Sequence, residues 1–250
     1  MDLRERPSEP AARHPWEQTR FDFFLRVLQD GGGLAASSVL DVGSGDAWFA
    51  RQLLARLASG ARVTCWDTEY TEQHARSLGA DGEPGLSLVA VRPQGRHELV
   101  MALDVLEHVQ DDLAFLRETV EQNMAGGAHL LMSVPAWPSL YTSHDAALLH
   151  YRRYRPQEAA SLLRSAGLQL VRSGGLFSAL LLPRLVRRGV ELVTRPAPPH
   201  QAPALAWQHG PALTRLVRSV LSIDSAACRW ASSHDRSLPG LSWWAWCRKP

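Results

Sequence analysis

The chain has 250 residues, with 27 lysines and arginines against 25 aspartates and glutamates, a formal net charge of +2. One large domain fits that length, and so even a balance, with arginines scattered along the chain, argues against nucleic acid as a partner. Cys65, Cys228 and Cys247 stand far apart without CxxC spacing, which supports neither a disulfide framework nor a zinc site; no metal is expected, and a reducing, cytoplasmic setting fits.

Residues 1–14 are polar and proline-containing, lack the apolar core of a secretory signal and read as a flexible N-terminal arm; residues 15–250 read as one domain. From about Trp16 to Leu170, short apolar runs alternate with amphipathic stretches, the pattern of an α/β fold whose mostly parallel sheet carries helices on both faces. The strand candidates are Ser38 to Val42, Arg62 to Trp66, Leu86 to Val91, Glu98 to Leu103 and His129 to Val134. Val105, Val109, Leu113, Leu116 and Val120 recur at helical intervals, with "AGG" at Ala125 to Gly127 as the stop. After Pro156 a helix ends near Gly167 and a further strand follows. Gly240 to Arg248 is the last strand, where alternation sends Trp243 and Trp244 to opposite faces and both, with Trp246, into the core. Between them, at about 177–231, two apolar, arginine-bearing helical stretches flank "TRPAPPHQAP", a helical cap inserted before the last strand. The longest apolar run, Gly174 to Pro183, is about half of the roughly 20 residues that span a bilayer.

"SVLDVGSGDAWFARQLL", Ser38 to Leu54, is a strand, a turn bearing Gly43 and Gly45, and a helix. The dinucleotide fingerprint GxGxxG would need glycine at position 48, where the bulky Trp48 stands, and Asp46 would oppose a diphosphate at the helix N-terminus. A ligand carrying an ammonium and a sulfonium would instead be attracted by Asp41 and Asp46, by about 4 kcal/mol for charges about 4 Å apart at an effective dielectric near 20. S-adenosylmethionine is such a ligand.

"LDVGSGDA" resembles the first motif of the class I S-adenosylmethionine-dependent methyltransferases, with Ala47 in place of the third glycine. "VTCWD" ends in Asp67, where a carboxylate can accept both ribose hydroxyls. "ELVMALDVLEHVQDDLAFLRETV" and "MAGGAHLLMSVPA" resemble the family's fourth and fifth strands and the helix between, and "DVLEHV" is similar to its ubiquinone-biosynthesis-like, small-molecule branch. The resemblance covers about Ser37 to Ala136. It implies a Rossmann-like, seven-stranded sheet and S-adenosylmethionine held by Asp41, Gly43, Ser44, Gly45 and Asp67, with Asp104 beside it. The departure is at the third strand, where "LVAVRPQGRHEL" offers Arg92, Gln94 and Arg96 in place of the acidic residue that usually meets the adenine. A non-catalytic scaffold or partner-binding protein is therefore the alternative reading, with a nicotinamide-dependent dehydrogenase a remoter one.

Methyl transfer draws up to about 7–11 kcal/mol from alignment alone, and a hydroxyl acceptor gains a further 10²- to 10⁴-fold, roughly, from a base. His108, just past the fourth strand, is one candidate; otherwise Glu107 and His108 only start a helix. The other lies in "SLYTSHDAALLHYRRYRP", Ser139 to Pro156, which resembles the "SHD…HYRRY" segment of a bacterial methyltransferase subgroup. There the pair His144 and Asp145 could orient an imidazole, and Tyr151, Arg152, Arg153 and Tyr154 could clamp an anionic or sugar-like acceptor. Alternatively the arginines pair with Asp111, Asp112 or Asp145. The acceptor is read as a small or lipid-linked metabolite, methylated at oxygen. Trp48 either touches ligand or packs the first helix on the sheet. "LFSALLLPRLVRRGVELV", Leu176 to Val193, with Arg184, Arg187 and Arg188, suits peripheral contact with an anionic membrane, an entry for a lipid-like acceptor or a dimer contact, so monomer and homodimer both stay open.

Overall fold

A computed structural model describes residues 13–71, 83–194, 207 and 209–250; residues 1–12 of the expected arm lie outside them. Helix α1 (Pro15–Asp30) starts on a proline, which needs no amide partner there, and the His14 ring accepts the Trp16 N–H at 3.0 Å. Strands β1 (Ser38–Val42), β2 (Arg62–Trp66), β3 (Leu86–Val89), β4 (His97–Leu103), β5 (Met124–Pro135), β6 (Gln169–Leu176) and β7 (Ser242–Arg248) form one sheet in the order β3-β2-β1-β4-β5-β7-β6. Pairing is parallel from β3 through β5, and β7 runs antiparallel to both β5 and β6.

The period-two alternation of the strands divides the core between two faces. Val39, Val63, Leu99, Met101 and Leu131 pack beneath Phe24, Val27 and Leu28 of α1 and Leu53 of α2 (Trp48–Leu54). Leu40, Val100, Leu130 and Met132 pack on the other side, with Leu116 of α3 (Asp112–Glu118) and Leu163 of α5 (Pro156–Ser165); between these helices lies the short α4 (Ser143–Ala147). Trp243 joins the second cluster and Trp244 and Trp246 the first, as alternation requires. Helices α6 (Leu181–Thr194) and α7 (Pro211–Ser233) fall between β6 and β7, and α7 lies along α1, where Arg218 and Arg229 reach Asp22 and Asp30. Among the described residues no helix is long and apolar enough to cross a membrane.

Several element boundaries differ from expectation: β3 ends at Val89 and not at Val91, β5 begins at Met124 and not at His129, and three others have a local cause. The periodic run from Val105 to Val120 is not one helix: Leu106–His108 makes a single tight turn, and Asp111 caps a separate α3 by accepting the Ala114 N–H at 3.0 Å. "AGG" does not end it either. A wide turn over Thr119–Asn123 leads straight into β5, and Ala125–Gly127 forms an irregularity in the β4–β5 pairing, with Gly127 at φ +75°. The last strand begins at Ser242, not Gly240, because Gly240 presses on the backbone of Leu176 so closely that a Cβ there would overlap it.

Candidate active site

At the carboxyl edge of the parallel strands lies a cavity of about 630 Å³. Its floor is the ends of β1 (Gly43), β2 (Trp66, Asp67), β4 (Asp104, Glu107) and β5 (Pro135); α1 contributes Arg20, and the segment His144 to Arg153 with Arg184 of α6 makes the roof. Open α/β sheets bind ligands at this edge, where the strand order diverges.

The glycine turn is built so that its amides are spent within the protein. Gly43 and Ser44 donate to the Trp66 carbonyl (2.7 and 3.4 Å), and Gly45 donates to Asp67 Oδ2 (2.9 Å). A phosphate would find none of these three donors available. Asp67 Oδ1 accepts the Glu69 N–H at 3.0 Å, so the carboxylate is fixed in the cavity wall. Gly43 has φ +62°, and a Cβ there would lie 2.7 Å from a Val105 methyl. Ser44 is buried and its hydroxyl meets that of Tyr70 at 2.8 Å. Ala47 takes a left-handed backbone (φ +55°), the conformation a third glycine would adopt without strain.

The expected attraction between ligand and Asp46 does not arise, because Asp46 pairs with Arg13 and lies outside the cavity wall. Trp48 is a packing residue, edge-on to Phe21 at 5.5 Å with the Arg13 guanidinium 4.9 Å above its ring, beside a smaller cavity of about 40 Å³. Asp41 lines that smaller cavity with Arg20. Burial pushes its carboxyl up to about 7. Asp104, in a left-handed backbone (φ +58°), is held by Arg20 (2.9 Å) and by the Ser133 hydroxyl (2.8 Å). Beyond β3, Arg92 stands over the rings of Trp66 (4.6 Å) and Phe115 (5.1 Å), which stack at 5.8 Å, while it donates to Thr119 and Asn123. The Trp66 Nε1 is buried without a partner among the described residues, in a ring that faces the cavity.

Under the roof the pairing differs from the sequence reading. Asp145 is fully buried and hydrogen bonds the His150 ring at 3.3 Å, not that of His144. It also accepts from Arg153 (2.8 Å), from Arg184 and from the Thr142 N–H (2.8 Å). Burial opposes its charge, but the hydrogen bonds from His150 and Arg153 and the nearby guanidinium charges outweigh it and hold the carboxyl well below the usual range. His144 also lines the cavity, and burial together with Arg184 and Arg187 lowers it to about 4. His108 and His150 meet edge to face, 4.6 Å between ring centres. Glu107 beside them is fully buried with no partner side chain among the described residues, and burial with the neighbouring Asp104 raises it well above the ordinary carboxyl range. Glu107, His108 and His150 bring one potential ligand atom each to within 4.8 Å of one another, a cluster that the expectation of no metal overlooks.

The four-residue clamp is reduced to one. Arg152 bonds Asp112 (3.0 Å) and the Gln110 carbonyl, Arg153 is buried on Asp145, and the Tyr154 hydroxyl reaches Asp112 (2.8 Å), which leaves Tyr151 exposed on the cavity rim. The sequence does not single out Arg20 or His150, and Arg184 reads there only as part of the cap helix, not as a partner of Asp145. His150 sits five residues past Asp145, a spacing with no helical meaning. They meet because α4 ends at Ala147 and Leu149 turns the chain back with φ +60°.

A model of the methyltransferase domain matches residues 13–173. The ubiquinone biosynthesis O-methyltransferase of Xanthomonas euvesicatoria pv. vesicatoria (strain 85-10) is 30% identical over 190 residues, 68% of this chain and 76% of that protein. Among solved structures, the plantazolicin methyltransferase BamL, in complex with a triazolic desmethylPZN analog and SAH, is similar with a TM-score of 0.55 and 14% identity, over 92% of this chain and 84% of BamL. The [4+2]-cyclase SpnF is similar with a TM-score of 0.56 and 14% identity, over 97% and 86% of the two chains. At such identities the structural likeness speaks for the fold alone. The family match and the curated relative go further: this chain belongs to the methyltransferase-domain family and is an S-adenosylmethionine-dependent methyltransferase.

Proposed function

We propose that the chain methylates a hydroxyl of a small, partly apolar or lipid-linked metabolite, with His150 as the base. The donor set fits S-adenosylmethionine. Asp67 is suited to the ribose hydroxyls, Asp41 and Asp104 to the ammonium, Arg20 to the carboxylate, and the Trp66 and Phe115 rings to the adenine face. When bound, the cofactor supplies an electrophilic methyl group on a sulfonium. The protein's own part is alignment and proton removal: Asp145 takes the Nδ1 side of His150, which leaves Nε2 to accept the hydroxyl proton. The apolar walls from Val105, Val109, Leu148 and Leu149 keep water away and favour an acceptor with an aromatic or alkyl body. The observation that carries the reading is the Asp145–His150 pair in the same cavity as Asp67. The name of the curated relative, an O-methyltransferase, supports oxygen as the acceptor atom.

A second reading, favoured by the Glu107, His108 and His150 cluster, gives the hydroxyl to a divalent cation in place of a base. Transfer of labelled methyl from S-adenosylmethionine to a panel of catechols, phenols, amines and carboxylates tests both. The expected result is label on phenolic oxygen, unaffected by chelator, with kcat lowered about 10²- to 10⁴-fold in His150→Gln at unchanged cofactor affinity. Activity lost to chelator and restored by a metal would favour the cation. Label confined to amines or carboxylates would overturn the hydroxyl reading.

A further inference from the structure

Helix α6 is inverted relative to an ordinary surface helix. Two of its polar side chains face the protein: Arg184 is buried against Asp145 and the Leu140 carbonyl, and Glu191 accepts from the Ser143 N–H (3.1 Å) and hydroxyl (2.7 Å). Its aliphatic side chains face outward. Leu182, Leu185, Val186, Val190, Leu192 and Val193 are between 53% and 85% exposed. At about 100° per residue they share, with Gly189, one continuous arc covering roughly 160° of the helix.

We infer that this outer face of α6 is a docking surface for an anionic lipid bilayer. The helix is amphipathic and too short and too charged to span, as expected of a segment that lies in the plane of the interface. Charge selects the occupant. Residues 177–231 hold seven arginines against Glu191 and Asp224; Arg184, Arg218 and Arg229 are spent on Asp145, Asp22 and Asp30, but Arg187, about half exposed beside Glu191, and Arg188 flank the aliphatic arc on its two sides and give its edges positive charge. An anionic leaflet complements such a surface. A symmetric pairing of two copies through it would press two cationic caps together, which disfavours self-association as the occupant. The inference does not depend on the identity of the methyl acceptor.

The test is flotation of the purified chain with vesicles of phosphatidylcholine alone and of phosphatidylcholine mixed with phosphatidylglycerol. With about 1 kcal/mol per arginine near the surface, two or three arginines predict binding to the anionic vesicles about tenfold or more above that to the neutral ones, falling as salt is added. The double variant Leu185→Glu, Val190→Glu should lose this binding while keeping its unfolding temperature and its affinity for S-adenosylmethionine, because both side chains already face solvent. Equal binding to both vesicle types, no binding to either, or undiminished binding by the folded double variant would overturn the inference. So would a wild-type dimer by light scattering that the double variant dissolves without any vesicle binding.

Discussion

Asp145 bonds to His150, five residues ahead of it, and leaves its neighbour His144 to a different environment. The same carboxylate carries Arg153 and Arg184, so it is a structural hub as well as the orienter of an imidazole. Asp145→Ala is therefore expected to destabilise the fold by about 3–5 kcal/mol, since it strands two buried guanidinium groups. Urea unfolding measures this directly. His150→Gln, which leaves both arginines paired, should cost much less stability and show its effect in kcat.

Asp67 joins the glycine turn to the wall of the cavity. Its two oxygens already hold the Gly45 and Glu69 amides, each keeps further acceptor capacity, and the residue lines the cavity. Hydrogen bonds to a charged partner contribute about 1.5–3 kcal/mol, so Asp67→Ala is expected to weaken S-adenosylmethionine binding by roughly 10- to 150-fold in a calorimetric titration. Unchanged affinity would mean the cofactor lies elsewhere.

If Asp41 meets the ammonium as proposed, that affinity depends on pH. In the folded chain its carboxyl holds a proton up to about 7, against an ordinary value of 3.8. Stability contributed by this group thus declines as pH rises from 3.8 through 7, while an ammonium ligand needs the charged form. Cofactor affinity should rise between pH 6 and pH 8, and Asp41→Asn should flatten the profile.

His144 acts on stability in the opposite direction. The folded chain refuses a proton at this ring until about pH 4, whereas an unfolded histidine takes one near 6.5. The stability is complete above 6.5, falls as pH drops through the window and levels off below 4. The expected loss is about 1–2 kcal/mol, reduced because the ring is partly hydrated. Thermal unfolding from pH 7 to pH 4 would reveal it, and His144→Gln should remove this component of the slope.

The sheet was legible because its signals are local. Alternating Val and Leu runs mark the strands, the left-handed positions at Gly43 and Gly45 mark the turn, and the alternation of Trp243, Trp244 and Trp246 assigns each its face. That the segment from His144 to Tyr151 would line the cavity was legible in composition, but its pairing was not. Nothing in "SHDAALLHYRRY" says that the partner of Asp145 is the second histidine, because that depends on a left-handed Leu149, a residue type with no preference for that backbone. Arg20 enters from a helix 84 residues before its partner Asp104, and Arg184 from one 39 residues after Asp145, distances over which a single sequence carries no pairing signal.

The contact of Arg184 with Asp145 also couples the roof helix to the imidazole. The arginine belongs to the roof helix and the carboxylate to the group that steers His150, so lifting that helix away from the chamber breaks the contact that helps keep Asp145 charged and in position. The position of the His150 ring thus depends on a side chain carried 39 residues beyond Asp145, and a substitution that displaces Arg184 is felt at the imidazole without touching it.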